Sequence, residues 1–347
     1  MPVLDGTDLG LLPTQGVGSW SAPSWLSLAR RAVRAGDAGP ADLQEALDDA
    51  VRIAVSDQEQ AGLDVVTDGE IARQRFLWNV VERLSGLKAV ASLRRVGAVA
   101  YDAAPTFVTT ERVSAPDGLG LAAEHAFVRT LTSRPLKVCC PGPLTLALPI
   151  TAADGYREGG DLAMLYDLAD LVNRELRALV AQGLRFVQVD EPSAAGGARV
   201  SVAEAVKLFN RTVEGVDAKI ALHICFGNNQ GRPAMKRTYA PLFPAMLDAR
   251  ADQFALEFAN REMSEIDLWP RLDTDLELAV CVVDVKSMYV ESAEDVAARI
   301  RLALRHVRAD RLWPTCDCGF SATPRRLARA KAKALVDGAR IVRAELS

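Results

Sequence analysis

One unit recurs along the chain and restricts its possible folds more than any other feature: an amphipathic helix, a glycine, then a short apolar strand ending in acidic residues. The stretches QEQAGLDVVTDGE (58–70) and VAQGLRFVQVDEP (180–192) each carry it. Gly62 and Gly183 stand where a helix C-terminus takes a left-handed residue, a conformation glycine enters without steric cost. Ahead of Gly183, Leu165, Leu168, Val172, Leu176 and Leu179 recur at helical spacing, which predicts a helix buried along that stripe. Strand-like runs near 12–18, 64–68, 136–140, 185–190, 219–225, 253–258, 278–284 and 311–316 make eight, with Pro13 interrupting the first. Helical patterns, such as 202–211, 292–306 and 324–346, separate most of them. Strands alternating with helices pair in parallel through crossover connections. Eight such units predict an α/β fold of the (β/α)8 TIM-barrel type, closed rather than open.

No linker rich in proline, glycine and serine divides the 347 residues, so 1–347 reads as a single catalytic domain. Its irregularity is an insertion at about 71–134, between the second and third strands. The piece KAVASLRRVGAVAYDAAPTFVTTERV alternates around glycine and reads as a hairpin near the barrel mouth. Basic and acidic residues are interspersed and the net charge is −4, which argues against a nucleic-acid track or a membrane-binding face. The start, MPVLDGTDLGLLPTQ, has no basic segment followed by an apolar one, and no window approaches the roughly 18 apolar residues of a membrane span. A cytoplasmic protein acting on small molecules is expected. In a reducing compartment its six cysteines are core residues, metal ligands or reactive thiols rather than a disulfide framework.

Catalytic groups of such a barrel sit at the C-terminal ends of its strands. In KIALHICFGNNQG a period of two puts Lys219, Ala221, His223 and Cys225 on one face and Ile220, Leu222 and Ile224 on the other. Glu257, near the end of an apolar run, is a carboxylate whose burial demands a nearby cation. The run WPTCDCGF offers Cys316 and Cys318 at the matching level of another strand. Imidazole nitrogen, thiolate sulfur and carboxylate oxygen make a tetrahedral zinc shell. A lone H-x-C pair reads more simply as a satisfied core histidine beside a small buried cysteine. The convergence of donors from three strands favours the metal. Cys139, Cys140 and Cys281 read as core. Glu191 reads as a backbone partner at the rim, and Asn228 and Asn229 as shapers of the loop after the H-x-C pair. Arg73 and Arg75 are solvated by default, or recognise an anion.

Taken together, LLPTQGVGSW, AGLDVVTDGE, KVCCPGPLTL, FVQVDEPS, LHICFGN, LEFANRE, DVKSM and LWPTCDCGF resemble, in order and across nearly the whole chain, the cobalamin-independent methionine synthases. The likeness is to their catalytic C-terminal half and short stand-alone relatives. It implies zinc held by His223, Cys225, Glu257 and Cys318, the last because the family cysteine directly precedes glycine; Cys316 then has no role. It implies an amino-acid thiol site in which Val17, Gly18 and Ser19 receive the carboxylate while Glu70 and Asp190 hold the ammonium group. Two converging carboxylates would repel one another without a cationic guest. Zinc favours the thiolate, the form that attacks carbon, and Glu257 is the ligand expected to yield its place. The resemblance thus gives Glu257, Lys286 and Asp190 the catalytic roles. Lys286, in DVKSM, stands where the family has a histidine; it could donate a proton, bind an anionic group or be a solvated rim charge. The duplicated second barrel of the full-length enzymes, which contributes to folate binding, has no counterpart here, so the expected methyl donor is either methyltetrahydrofolate or a methylated corrinoid protein. The alternatives are alkylation of coenzyme M by an epoxide and a noncatalytic barrel stapled by structural zinc. Assembly into a homo-oligomer is left open.

Overall fold

The computed structural model describes residues 2–73, 77–90, 106–195, 199–228 and 231–347. Six strands, Val138–Pro141, Phe186–Asp190, Lys219–Ile224, Gln253–Leu256, Glu277–Val283 and Leu312–Cys316, lie side by side in chain order. Every neighbouring pair is parallel. The two remaining staves are thinner than the sequence predicts. Gln15 bridges Val65, and Val66 bridges Leu136, both in parallel. The Gln15 amide reaches the Pro314 carbonyl at 3.3 Å, and Thr315 Oγ1 donates to the Gln15 carbonyl at 2.7 Å, joining the first stave to the last. The ring is a (β/α)8 barrel. Its first stave stays short for a local reason: Pro13 has no amide to give a ladder, and Thr14 donates both amide and hydroxyl to Asp64 Oδ2.

Inside the ring, Leu4, Val65, Phe186, Ala221, Ala255, Ala279 and Trp313 form a cluster of their own. Alanines on three adjacent strands leave room for the two aromatic rings, which meet edge to face at 6.0 Å. Ile220, Leu222 and Ile224 belong instead to the larger core between sheet and helices. This is the period-two division read from the sequence. The helices Pro40–Ala61, Gly160–Ala181, Val202–Thr212, Ala293–Leu304 and Arg325–Leu346 supply the outer layer. All five leucine and valine positions of the predicted stripe are buried on Gly160–Ala181. Gly62, at φ 93°, ends the helix before it, its amide reaching the Gln58 and Glu59 carbonyls. No helix among the described residues is long and apolar enough to cross a membrane.

Part of the insertion is a hairpin, with Ser85–Val90 antiparallel to Thr106–Ser114; the tip between them lies outside the described residues. Thr106–Ser114 also pairs in parallel with Ile150–Thr151, which follows the Val138–Pro141 strand. Two residues are too short a run for periodicity to announce.

Candidate active site

Strand ends carry the reactive groups, as the barrel geometry requires. His223 and Cys225 leave the end of Lys219–Ile224, Glu257 follows Gln253–Leu256, and Cys318 follows Leu312–Cys316 by two residues. Cys225 Sγ and Cys318 Sγ are 3.9 Å apart. Two sulfurs at about 2.3 Å from a common tetrahedral ion would stand roughly 3.8 Å from each other. The contact with Cys225 brings Cys318 down to about 7, with His223 and Lys286 adding to the effect against burial. The same contact pushes Cys225 up.

His223 Nδ1 lies 2.7 Å from Asp190 Oδ1. A carboxylate only accepts, so Nδ1 carries a proton, and in the neutral ring it is Nε2 that offers a lone pair. Nε2 is buried without a hydrogen-bond partner among the described residues, and so is Glu257 Oε1. These are the atoms through which each residue could ligate a metal. Glu257 Oε2 accepts the Phe226 amide at 3.1 Å and pairs with Lys286 Nζ at 2.6 Å. The four donors do not form a preassembled shell. Among the described residues, the set of three or more whose ligand atoms lie within 4.8 Å of one another is Glu70, Cys139 and Asp190.

That trio forms an acidic pocket beside the sulfur pair. Asp190 Oδ1 accepts from His223 and also from Gln188 Nε2 at 2.7 Å, and Gln188 reaches the Val17 carbonyl. Lys137 Nζ donates to Gln188 Oε1 and to the Gly16 carbonyl, tying the first stave to the barrel interior. Burial lifts Glu70 to about 8; Arg73, 3.5 Å from its Oε1, opposes the shift, while Asp190 and Asp68 reinforce it. Gly18 is needed here, since a Cβ would lie 2.6 Å from Glu70 Oε1. Gly319 has the same role toward Ser19, whose Oγ a Cβ would meet at 1.9 Å. The loop of Val17, Gly18 and Ser19 is therefore pressed between Glu70 and the Cys318 loop. No acceptor among the described residues engages the amides of these three.

The catalytic-domain model of the cobalamin-independent synthases matches residues 12–341. The chain belongs to that family. A methionine synthase of Sulfurisphaera tokodaii is 33% identical over 340 residues, covering 98% of this chain and 95% of that protein. Another, from Saccharolobus solfataricus, is 34% identical over 341 residues, with 97% of each chain covered. The structure of a B12-independent methionine synthase from Shewanella sp. W3-18-1 in complex with selenomethionine superposes with a TM-score of 0.82 at 29% identity, covering 97% of this chain and 99% of that one. As a member of the cobalamin-independent methionine synthase family, this chain is a methyltransferase.

Within this family member, several side chains take positions that the sequence left open. Lys286 is buried rather than a rim charge, with its ammonium on Glu257. Arg73 is buried too, facing Glu124 at 3.4 Å, Glu70 at 3.5 Å and Asp68 at 3.9 Å. Arg75 and Asn229 lie outside the described residues. Asn228 accepts the Gly231 amide and closes its loop. Glu191 accepts from the Leu144 and Thr145 amides and the Thr145 hydroxyl. Cys140, Cys281 and Cys316 are buried away from these contacts, whereas Cys139 enters the acidic pocket and donates to the Val17 carbonyl at 2.9 Å.

Sequence reasoning missed Asp317, between the two cysteines of WPTCDCGF. Its carboxylate accepts the amides of Phe258, Ala259 and Asn260, locking the backbone after Glu257 to the loop that carries Cys318. An acid between two candidate ligands was the available signal. The missed Tyr239 accepts the Glu257 amide and donates to the Ile224 carbonyl, both at 2.7 Å, so one phenol spaces two of the strands that carry donors.

Proposed function

We propose that this enzyme methylates the thiol of homocysteine or a similar amino-acid thiol, giving methionine, with zinc held by His223, Cys225, Glu257 and Cys318. Methyltetrahydrofolate or a methylated corrinoid protein would be the donor. One observation carries the reading: Asp190 belongs at once to the sulfur end, through His223, and to the acidic pocket, through its place beside Glu70 and Cys139. A substrate spanning the two would present a cationic group to the acids and a sulfur to Cys225 and Cys318. An α-amino-acid thiol has that pattern. The selenomethionine of the Shewanella relative, the selenium counterpart of methionine, supports an amino-acid product here. A sulfonate thiol such as coenzyme M would bring negative charge toward Glu70 and Asp190.

The residues fit the metal in donor type, in the sulfur separation and in two buried, unpartnered acceptor atoms. When bound, zinc favours the substrate thiolate and holds it in place. The protein does the rest. Asp190 keeps the His223 ring in one tautomer and one orientation. Glu70 and Asp190 bind the ammonium group, and the amides of Val17, Gly18 and Ser19 bind the carboxylate, so the sulfur is aimed before reaction. The thiolate attacks the donor methyl and a sulfur–carbon bond forms; the carbon–nitrogen bond of the folate breaks with the nitrogen taking up a proton, or the carbon–cobalt bond of the corrinoid breaks with cobalt keeping the electron pair.

The test is zinc analysis of the purified protein, followed by pairing homocysteine and coenzyme M with methyltetrahydrofolate, methylcobalamin and an epoxide. Zinc near one equivalent and methionine formation are expected. Turnover of coenzyme M but not homocysteine would overturn the acceptor. Zinc whose coordination is untouched by added thiol would mark a structural site instead.

A further inference from the structure

The geometry points to Lys286 as a second cation for Glu257, one that competes with the metal for this carboxylate and so sets how readily it yields its place to an incoming thiol. The inference rests on the metal reading above and goes beyond it, by giving the displaced ligand a destination. Both side chains are almost wholly buried, at 1% and 0% exposure, and Lys286 Nζ lies 2.6 Å from Glu257 Oε2. Oε2 also accepts the Phe226 amide, whereas Oε1 has no partner among the described residues. One carboxylate therefore has an oxygen committed to the protein and an oxygen to spare.

A buried carboxylate released from a metal would ordinarily become an unpaired anion in a medium that solvates it poorly, and that cost would hold it on the metal. With an ammonium already in contact, release leaves an ion pair. The lysine is delivered by its backbone: the Lys286 amide donates to Asp284 Oδ1 at 2.8 Å, and its carbonyl packs against Gly231, where a Cβ would come within 3.1 Å. Lys286 is thus a positioning residue for Glu257. A neutral imidazole at this place could not supply the same permanent charge.

Chelator competition measures zinc affinity directly, without turnover. In Lys286→Met, Glu257 has no cation but the metal, so zinc should bind about tenfold tighter or more. Lys286→Arg should stay near the parent value. In a Glu257→Gln background, Lys286→Met should make no difference. A second readout uses the cobalt-substituted protein, whose absorption bands report loss of an oxygen ligand as homocysteine is added; Lys286→Met should need about tenfold more homocysteine or more. Unchanged or weaker zinc binding by Lys286→Met, or an equal change with Glu257→Gln, overturns the inference and leaves the metal reading standing. A parent protein that takes up no zinc, or keeps it in Cys225→Ser, overturns both. Should Lys286→Met not fold, Lys286→Gln gives the same comparison with a polar, uncharged side chain.

Discussion

Two neighbouring regions of one barrel rim answer the problem of buried charge in opposite ways. At the sulfur end, Glu257 is matched by a cation of the protein itself, Lys286, and the Cys225 and Cys318 sulfurs lie in contact. In the acidic pocket, Glu70 and Asp190 approach each other around Cys139, with Asp68 close by, and Arg73 at 3.5 Å is the cation facing Glu70. The first region can stand on its own contacts; the second gathers more carboxylates than cations, and in the ligand-free protein burial keeps a proton on Glu70 up to about 8. An imbalance of that kind is what a cationic guest relieves. Asp190 joins the two through His223, so occupancy of one region bears on the geometry of the other.

The comparison breaks most sharply at the sulfurs. Cys225→Ser or Cys318→Ser should lose metal and activity together, beyond the roughly 10- to 100-fold expected of outer partners, while Cys316→Ser keeps both. Metal analysis beside a turnover assay checks this, and metal retention in Cys318→Ser would move the fourth ligand to Cys316. Asp317→Ala strips the shared acceptor from three amides and should destabilise the protein by about 3 kcal/mol or more, read by denaturant unfolding. Asp190→Asn keeps the shape but leaves His223 without its anionic partner; a loss of about 10- to 100-fold in metal affinity is expected by chelator competition. In the acidic pocket, Glu70→Gln should raise the KM for homocysteine by about 10- to 100-fold with a smaller effect on kcat, the size of one charge-assisted hydrogen bond.

A further effect is on pH. Glu70 has an ordinary value of 4.5 and is held at about 8 by burial, so between these values the folded chain binds a proton that the unfolded chain has released. Stability of the ligand-free protein should therefore fall as pH rises through that window, by at most about 1.4 kcal/mol per pH unit. Thermal unfolding across pH should show a shallower decline in Glu70→Gln. An equal decline would locate the titration elsewhere.

The strands and helices were legible because their periods were strong: Leu165 to Leu179 on one helical stripe, and Ile220, Leu222 and Ile224 opposite Ala221 and His223 on a strand. The first two staves pair less than their sequence patterns announce, because Pro13 and the Thr14–Asp64 contacts replace part of the ladder with side-chain bonds. For the candidate site, the sequence places His223, Cys225, Glu257, Cys316 and Cys318 at strand ends, and only the family resemblance picks Cys318 over Cys316. Their partners could not be named in advance. Arg73 and Lys286 sit in segments where lysine and arginine are ordinarily solvated, and Cys139 lies in a run as apolar as any core strand.

The amino-acid sequence by itself determined the alternation of helix and strand, the ends at which histidine, cysteine and glutamate are presented, and the membership in a family of methyltransferases. These depend on spacing within one segment or on the identity of its residues. Only the tertiary structure decided that Lys286 meets Glu257, that Asp190 holds His223, and that Asp317 ties the loop after Glu257 to the one bearing Cys318. Each of those contacts joins separate staves, and the pairing of charges across a barrel is set by which strand ends the closed ring brings together.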